Sequence, residues 1–292
     1  MSFNSAAPRR AMMGLCVLAV LAIGPAYAAT GVAFVHGTSN QTNALDDYWT
    51  EDMVNSVRQG LADQSNYIVV NCAFDEYMWA ANAAGCLAGH LHGFITSKGI
   101  DDLVVITHSN GGNVMRWILS NPTWDSRYPT IIDNIRWVNA VAPSSAGTPL
   151  ADAVISGNAF EAVLGWLLGY INDAVRMQQT AWMATYNASW LYGTAGRPAL
   201  PVGFWSVVGT DVESAIWDGD SYCGGYANNV GLEITQNWLD SCSDGFLDCS
   251  SQNAAGQVWF YDTDVTAGDE PLSHAQSRRD CFGLDTILRN DL

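Results

Sequence analysis

One serine of the sequence lies in a setting that would make it a nucleophile. Ser109 is at the centre of the segment 107–112 (THSNGG), which follows the apolar run 103–106 and precedes a helix-like segment at 112–119. In a nucleophile elbow the serine occupies a strained strand-to-helix turn, so small residues must flank it. Thr107 departs from the usual pattern, which has glycine at that position. The setting predicts that Ser109 attacks a carbonyl carbon.

A nucleophilic serine needs a general base, and residue order along the chain selects one histidine. In enzymes built around such an elbow, an acid and then a histidine follow the serine. The chain has five histidines, and only His274 follows Ser109. We therefore predict His274 as the base, because a surface role for it would leave the serine without a proton acceptor.

The acid of the triad has two candidates. Asp244 lies in the segment 243–245 (SDG), where a small residue and a glycine allow a tight loop that presents a carboxylate. Asp211 follows a strand that ends near residues 209–210 and is the second candidate. We expect most other acids between Ser109 and His274 to be solvated surface charge.

A loop early in the chain supplies the expected oxyanion hole. The triplet His36-Gly37-Thr38 follows the first strand-like run, so its turn can bring the Thr38 backbone N–H near the elbow. Together with the N–H of Asn110, this donor would stabilise the developing alkoxide of the tetrahedral intermediate. We expect His36 to brace the loop and to transfer no protons.

The elements that would position these residues alternate along the chain. Strand-like runs at 31–35, 67–70, 103–106, 135–141 and 204–208 are interleaved with helix-like segments at 46–63, 87–97 and 112–119. This alternation is typical of a parallel sheet with helices on both faces, and the uninterrupted run 103–106 is typical of a buried central strand. We predict an α/β fold with a mostly parallel sheet, in one domain spanning residues 29–292.

The segment 151–197 breaks this alternation. It is rich in large apolar residues and indicates two or three helices inserted between strands. These helices either complete the core or form a cap or lid whose apolar face contacts the substrate at a lipid–water interface.

The N-terminal 28 residues have the pattern of a secretory signal peptide. Arg9 and Arg10 precede the apolar stretch 11–23, and the triplet 26–28 (AYA) matches a cleavage site. The apolar stretch is shorter than the roughly 20 residues of a membrane span, although an uncleaved anchor is the alternative. We therefore predict an exported protein.

Charge and cysteine content agree with export and narrow the partners. The formal net charge is −17, which disfavours binding to nucleic acid and to anionic lipid headgroups. Six cysteines follow the leader, an even number that predicts disulfides in an exported protein, with Cys72–Cys86 as the best single pair. A zinc site would need paired cysteines or clustered histidines at ligand spacing, and we find neither pattern. Nothing in the sequence indicates an oligomeric state.

Taken together, these segments resemble the secreted bacterial triacylglycerol lipases of the α/β-hydrolase superfamily, especially the pseudomonad and Burkholderia type. The likeness consists of short separate segments that occur in the same order and extend over most of the chain after the predicted leader. They are the His36-Gly37 loop, the elbow, residues 142–143 and 147–152, residues 205–210, Asp244-Gly245 with Cys249, and His274. The resemblance implies the α/β-hydrolase fold with a helical lid, and carboxylic ester hydrolysis through Ser109, Asp244 and His274. In that family the loop resembling 243–245 carries the acid, which favours Asp244 over Asp211.

The same resemblance bears on cofactors. Those lipases hold a structural calcium near the catalytic histidine, using an acid two residues after it. Here that position is Gln276, and Asp280 is the nearest substitute. We therefore predict no cofactor and no metal.

Two other functions remain open from the sequence. The enzyme would be a short-chain esterase or polyester depolymerase if it acts on soluble or polymeric esters. A protein of another class, a non-catalytic binding protein on the same fold, is disfavoured because it need not retain Ser109, Asp244 and His274.

Overall fold

The computed structural model describes residue 1 and residues 28–157 and 171–292. Its strands are β1 (Thr30–Val35), β2 (Tyr67–Val69), β3 (Asp102–His108), β4 (Ile135–Val141), β5 (Gly203–Val208) and β6 (Gln257–Tyr261). They form one sheet in the order β2-β1-β3-β4-β5-β6, and every neighbouring pair is parallel. The predicted parallel sheet is therefore confirmed, with β3 and β4 at its centre.

Helices fill most connections between the strands. They are α1 (Glu51–Arg58), α2 (Cys86–Lys98), α3 (Gly111–Ser120), α4 (Tyr128–Asn134), α5 (Pro149–Ile155), α6 (Asp173–Met177), α7 (Thr180–Ser189), α8 (Tyr226–Gln236), α9 (Cys249–Gln252) and α10 (Leu284–Asn290). The predicted helix at 46–63 is interrupted at Thr50, whose hydroxyl caps α1 by accepting the N–H of Met53, and α1 ends at Arg58.

The two faces of the sheet are buried by different helices. Leu103 and Val105 of β3 lie in an apolar cluster with side chains of α2, α3 and α4. Val104 and Ile106, which alternate with them, lie in a second cluster with side chains of α1 and α10. Each such side chain stabilises the fold by roughly 1.5–3 kcal/mol when fully buried. Two-sided burial explains why the central strand reads as a continuous apolar run.

Because all strands are parallel, their carboxyl ends lie at one edge of the sheet. The loop containing Thr38 follows β1, Ser109 follows β3, and Asp211 follows β5. The chain segment containing His274 follows β6. Ligand sites in open parallel sheets lie at this edge, so the topology brings the predicted site residues to one place.

The insertion predicted at 151–197 contains α6 and α7 and most of α5 in its described part. Residues 158–170, which carry much of its apolar sequence, lie outside the described residues, as do residues 2–27 of the predicted signal peptide. No helix in the described part of the chain combines the length and apolar character needed to cross a membrane.

Three disulfides join the six cysteines of the described residues. Cys72–Cys86 is present as predicted, and the other pairs are Cys223–Cys281 and Cys242–Cys249. Such bonds are typical of proteins that mature in an oxidising environment.

Candidate active site

Ser109 occupies a sterically crowded turn between β3 and α3. Its φ angle is 54°, in the left-handed region that non-glycine residues rarely adopt. A Cβ atom at Gly111 would lie 2.3 Å from the carbonyl oxygen of His36, and one at Gly37 would lie 2.8 Å from the Ser109 Cβ. The small residues around the serine are therefore required by close contact between the β1 loop and the elbow.

Thr107, the departure from the usual elbow pattern, fits without obstructing the turn. Its side chain is fully buried at the end of β3. A Cβ atom at Gly112 would lie 3.4 Å from Thr107 Oγ1 and 3.1 Å from Pro143 Cβ. Glycine at position 112 therefore avoids a tight contact with Pro143, and the threonine lies at ordinary contact distance.

His274 and Asp244 are joined by a direct hydrogen bond. His274 Nδ1 lies 2.7 Å from Asp244 Oδ2, and because an ionised carboxylate only accepts, Nδ1 donates. Asp244 Oδ1 accepts the backbone N–H groups of Phe246 and Leu247, at 2.9 and 2.7 Å. The Asp244 side chain is fully buried, whereas the His274 side chain is 14% exposed. This arrangement fixes the imidazole tautomer and leaves Nε2 to accept a proton.

Main-chain contacts support the same pair. The backbone N–H of His274 donates to the Asp244 carbonyl oxygen at 2.9 Å, and the N–H of Asp244 donates to the carbonyl of Leu247 at 3.1 Å. The Phe246 ring stacks on the His274 ring with centroids 4.7 Å apart. Both loops are therefore held by the backbone as well as by the acid–histidine bond.

Asp211, the other candidate acid, lies in a different environment. It is exposed, and its Oδ1 accepts from the Gln236 side-chain amide at 2.7 Å and from the Val212 N–H at 2.8 Å. The structure therefore places Asp244, and not Asp211, against the histidine.

Asp262 is an exception to the expectation that most other acids are surface charge. It is fully buried and accepts hydrogen bonds from the N–H and hydroxyl of Thr210 and from the N–H groups of Thr263 and Leu272. Burial raises the pKa of its carboxyl group. Asp262 thus links the end of β5 to the segment just before His274.

His108 connects the elbow to the histidine loop. The Tyr48 hydroxyl lies 2.6 Å from His108 Nδ1, and His108 Nε2 lies 3.1 Å from the His274 carbonyl oxygen and 2.9 Å from Ser277 Oγ. The carbonyl can only accept, so Nε2 donates and Nδ1 accepts from Tyr48. Burial lowers the pKa of His108 well below the ordinary histidine value, which keeps the ring neutral.

No direct hydrogen bond joins Ser109 to His274, two residues that the structure describes, so their link runs through His108. Catalytic hydrogen bonds between a nucleophile and its base often tighten only when substrate binds.

The two predicted oxyanion donors lie beside the elbow with their amides uncommitted. Neither the N–H of Thr38 nor that of Asn110 donates to any residue within 28–157 or 171–292. Both side chains are held: Thr38 Oγ1 accepts from the Gln178 amide at 2.9 Å, and Asn110 donates to the Phe74 carbonyl at 3.2 Å. Gln178 lies in the predicted lid segment, so that segment contacts the oxyanion loop.

His36 braces the β1 loop. Its Nε2 accepts the Cys72 N–H at 3.3 Å, which leaves Nδ1 to donate to the Gly37 carbonyl at 2.8 Å. Burial lowers the pKa of His36 to about 4, so the neutral ring is the stable form at neutral pH.

A buried arginine behind the elbow was not anticipated. Arg116 is fully buried on α3, and its guanidinium donates to the side chains of Asn113 and Asn187 and to the carbonyls of Ser145 and Tyr192. Burial lowers its pKa to about 9. The sequence carries no signal for this network, because three of its four partners come from segments distant in the chain.

The residues near His274 do not fit a calcium site of the kind expected from related lipases. Gln276 Oε1 accepts the Ser273 N–H at 2.8 Å, and its amide nitrogen donates to the Asp220 carbonyl at 3.3 Å. Asp280 is exposed. Calcium requires several oxygen ligands, often carboxylates, and Gln276 is instead a neutral group engaged in internal hydrogen bonds.

No protein-family model matches the sequence, and no curated protein matches it. Solved structures do match. A lipase of Bacillus licheniformis in its mature form aligns with a TM-score of 0.65 at 18% identity, over 91% of each chain. A metagenomic carboxyl esterase aligns with a TM-score of 0.54 at 14% identity, over 91% of this chain and 77% of the other.

Lipase 1 from Pelosinus fermentans aligns with a TM-score of 0.53 at 15% identity, over 85% of this chain and 89% of the other. At these identities the likeness concerns the fold, and the finer resemblance to pseudomonad and Burkholderia lipases stays a prediction. The sheet order, the loops at its carboxyl edge and these neighbours together show that the chain has the α/β-hydrolase fold.

Proposed function

We propose that this chain is an exported serine hydrolase that cleaves carboxylic esters, with lipid esters as its substrate class. The observation that carries the proposal is the 2.7 Å contact between His274 Nδ1 and buried Asp244, at the sheet edge where Ser109 occupies its strained turn. The fold shared with known lipases and esterases supports the reaction class.

In the proposed reaction the Ser109 hydroxyl attacks the ester carbonyl carbon while His274 Nε2 accepts its proton. Asp244 stabilises the resulting imidazolium through the Nδ1 hydrogen bond. The negative oxygen of the tetrahedral intermediate accepts from the backbone N–H groups of Thr38 and Asn110. Collapse of the intermediate breaks the ester C–O bond, and the alcohol leaves with the proton from His274. Water then attacks the acyl-serine by the same steps and releases the acid.

Exposed apolar side chains in the predicted lid support a lipid substrate. Ile171, Trp182 and Trp190 are 46%, 52% and 51% exposed in the segment that contacts the oxyanion loop through Gln178. Apolar groups exposed on a predicted lid are typical of proteins that bind greasy surfaces or ligands.

The test is hydrolysis of p-nitrophenyl esters of increasing acyl length by the wild-type protein and by Ser109→Ala. We expect the variant to lose at least about 10⁴-fold in kcat/KM, because it removes the nucleophile. Ser189→Ala, an exposed serine on α7, is the matched control and should retain full activity.

The pattern of chain lengths separates the alternatives. Preference for long acyl chains, with activity that rises above the solubility limit of the substrate, supports a lipase. Turnover of short chains alone would instead indicate a short-chain esterase. A folded protein without Ser109-dependent turnover of any ester would overturn the proposal and favour a binding protein.

A further inference from the structure

A second pocket, lined only by aromatic side chains, lies away from Ser109. It encloses about 270 Å³ and is lined by Trp79, Trp117, Trp124, Tyr186 and Trp190. The volume is just below the usual range for drug-sized ligands, so the pocket suits a smaller molecule. Since no aliphatic, acidic or basic side chain contributes to the lining, aromatic rings make up its wall.

The rings are inclined to one another and form a box. Trp117 and Trp124 meet at 83° with centroids 5.1 Å apart, and Trp79 and Tyr186 meet at 68° with centroids 5.2 Å apart. Trp117 is buried, whereas Trp124 and Trp190 are 58% and 51% exposed. The pocket therefore has a rigid floor and an open side toward solvent.

Two helices end at this pocket. The N–H of Asn121, just after α3, donates to the Trp117 carbonyl, and the N–H of Trp190, just after α7, donates to the Tyr186 carbonyl. The Asn121 side chain also donates to the Trp190 carbonyl at 3.5 Å. A helix C-terminus carries partial negative charge, and neither helix has a basic residue in its last turn.

The arginines nearest to the pocket are engaged elsewhere. Arg127 pairs with Asp125 at 2.6 Å, and Arg197 donates to the carbonyls of Ser189 and Leu191 at 3.1 Å. Arg116 donates to the internal partners given above. None of the three lines the pocket. The guanidinium of Arg197 occupies the C-terminus of α7, so the local field combines electron-rich rings, the C-terminus of α3 and a chain of net charge −17, all of which attract a cation.

We propose that this aromatic pocket binds a quaternary ammonium group, such as that of choline. A trimethylammonium cation has no N–H to satisfy and carries its charge on an apolar surface, which matches a wall of aromatic rings. A sugar carries hydroxyls all round its ring, whereas the only side-chain hydrogen-bonding groups of the lining are the Tyr186 hydroxyl and the indole N–H groups. A hydrocarbon chain is uncharged, so the negative local field would not increase its affinity.

The pocket and the nucleophile are physically separate. Trp117 is on α3, six residues after the first residue of the helix, which corresponds to about 9 Å of helix, and Ser109 lies before that first residue. Binding at the pocket is therefore testable without turnover, and its outcome does not depend on whether the chain hydrolyses esters.

The experiment is a titration of the full chain with choline, in which binding is measured by calorimetry and by tryptophan fluorescence. The neutral tert-butyl analogue of choline, in which carbon replaces the ammonium nitrogen, is the matched ligand. We expect saturable choline binding that is about tenfold or more tighter than binding of the analogue. Choline affinity should be unchanged in Ser109→Ala.

Variants locate the site. Trp124→Ala and Trp190→Ala remove the two exposed walls and should each weaken choline binding about fivefold or more. Trp217→Ala, which removes an indole 87% exposed and outside the pocket, should leave it unchanged. Equal affinity for choline and its neutral analogue would overturn the proposal, as would the absence of saturable choline binding. Binding that survives both wall variants would overturn it as well.

Discussion

The elbow (residues 107–112) and the acid loop (residues 242–249) lie at the same edge of the sheet but are held in different ways. The elbow is fixed by contact, since a Cβ atom at Gly111 would come 2.3 Å from the His36 carbonyl oxygen. The acid loop is closed by the Cys242–Cys249 disulfide, and its carboxylate accepts two backbone N–H groups. We therefore expect the two regions to respond to different substitutions. A larger side chain should perturb the elbow, whereas loss of the disulfide or of the Asp244 carboxylate should perturb the acid loop.

The largest expected effect is on the chemistry of the acid loop. Asp244→Asn retains the shape of the side chain but removes the charge that orients and stabilises the imidazolium. We expect kcat to fall by about 10⁴-fold, with the free energy of unfolding changed much less. Asp211→Asn is the control, and activity measured on one p-nitrophenyl ester should distinguish them. A large loss in Asp211→Asn with none in Asp244→Asn would reverse the assignment of the acid.

The elbow should respond most to added volume. Gly111→Ala forces a methyl group against the backbone of the β1 loop, and we expect a loss of about 3 kcal/mol in the free energy of unfolding. Gly93→Ala, on α2, is the control because its Cβ would meet nothing within 4 Å. It should stabilise the protein by about 0.5–1 kcal/mol. Urea denaturation of both variants checks the prediction, and similar stabilities would contradict the steric account of the elbow.

Removal of the disulfide in the acid loop should lower activity more than removal of the Cys72–Cys86 disulfide, although the two losses in stability are similar. By the chain-entropy relation, replacing both Cys242 and Cys249 by serine costs about 2.5 kcal/mol, and replacing Cys72 and Cys86 costs about 3 kcal/mol. The first pair brackets Asp244, so we expect that variant also to lose up to about 100-fold in kcat at a temperature where it remains folded. The second variant should keep most of its activity. Equal activity losses would show that the short disulfide has no special role in positioning the acid.

The smallest effect concerns pH and the loop beside the elbow. The folded state holds His36 neutral down to about pH 4, whereas the ordinary pKa is 6.5. The unfolded chain therefore binds more protons between these values, and the free energy of unfolding falls as pH is lowered through this window. We expect a loss of about 1 kcal/mol between pH 7 and roughly pH 5.5 from this group.

His36→Asn tests the contribution of this residue. Stability should depend less steeply on pH in the variant than in the wild-type protein. An unchanged slope would assign the pH dependence to other buried groups, among them His108 in the elbow itself.

The sequence allowed prediction of those parts of the fold whose signals are local. The strand at 103–106 is a continuous apolar run because both of its faces are covered, and this run predicts a buried strand. The elbow is predicted from the small residues next to Ser109 in the sequence. In contrast, β6 was not predicted, because it is an edge strand whose first residues, Gln257 and Val258, are exposed.

The acid and the supporting network required distances between remote loops. Asp211 follows a predicted strand and Asp244 lies in a predicted tight loop, and only the fold shows which one meets His274. The bond from Gln178 to Thr38 spans 140 residues, and the one from His108 to Ser277 spans 169. The five aromatic side chains of the second pocket also come from separate segments, so periodicity within any one of them carries no sign of the cavity.

The spacing of the cysteines has a consequence for the order of oxidative folding. Cys242 and Cys249 are 7 residues apart, whereas Cys223 and Cys281 are 58 apart. In an unfolded chain the longer loop costs about 2 kcal/mol more entropy to close. The short bond should therefore form first, before the carboxyl-terminal segment folds back. Asp244 would then be in its loop before His274 reaches it, so that assembly of the proposed triad would end when His274 binds to Asp244.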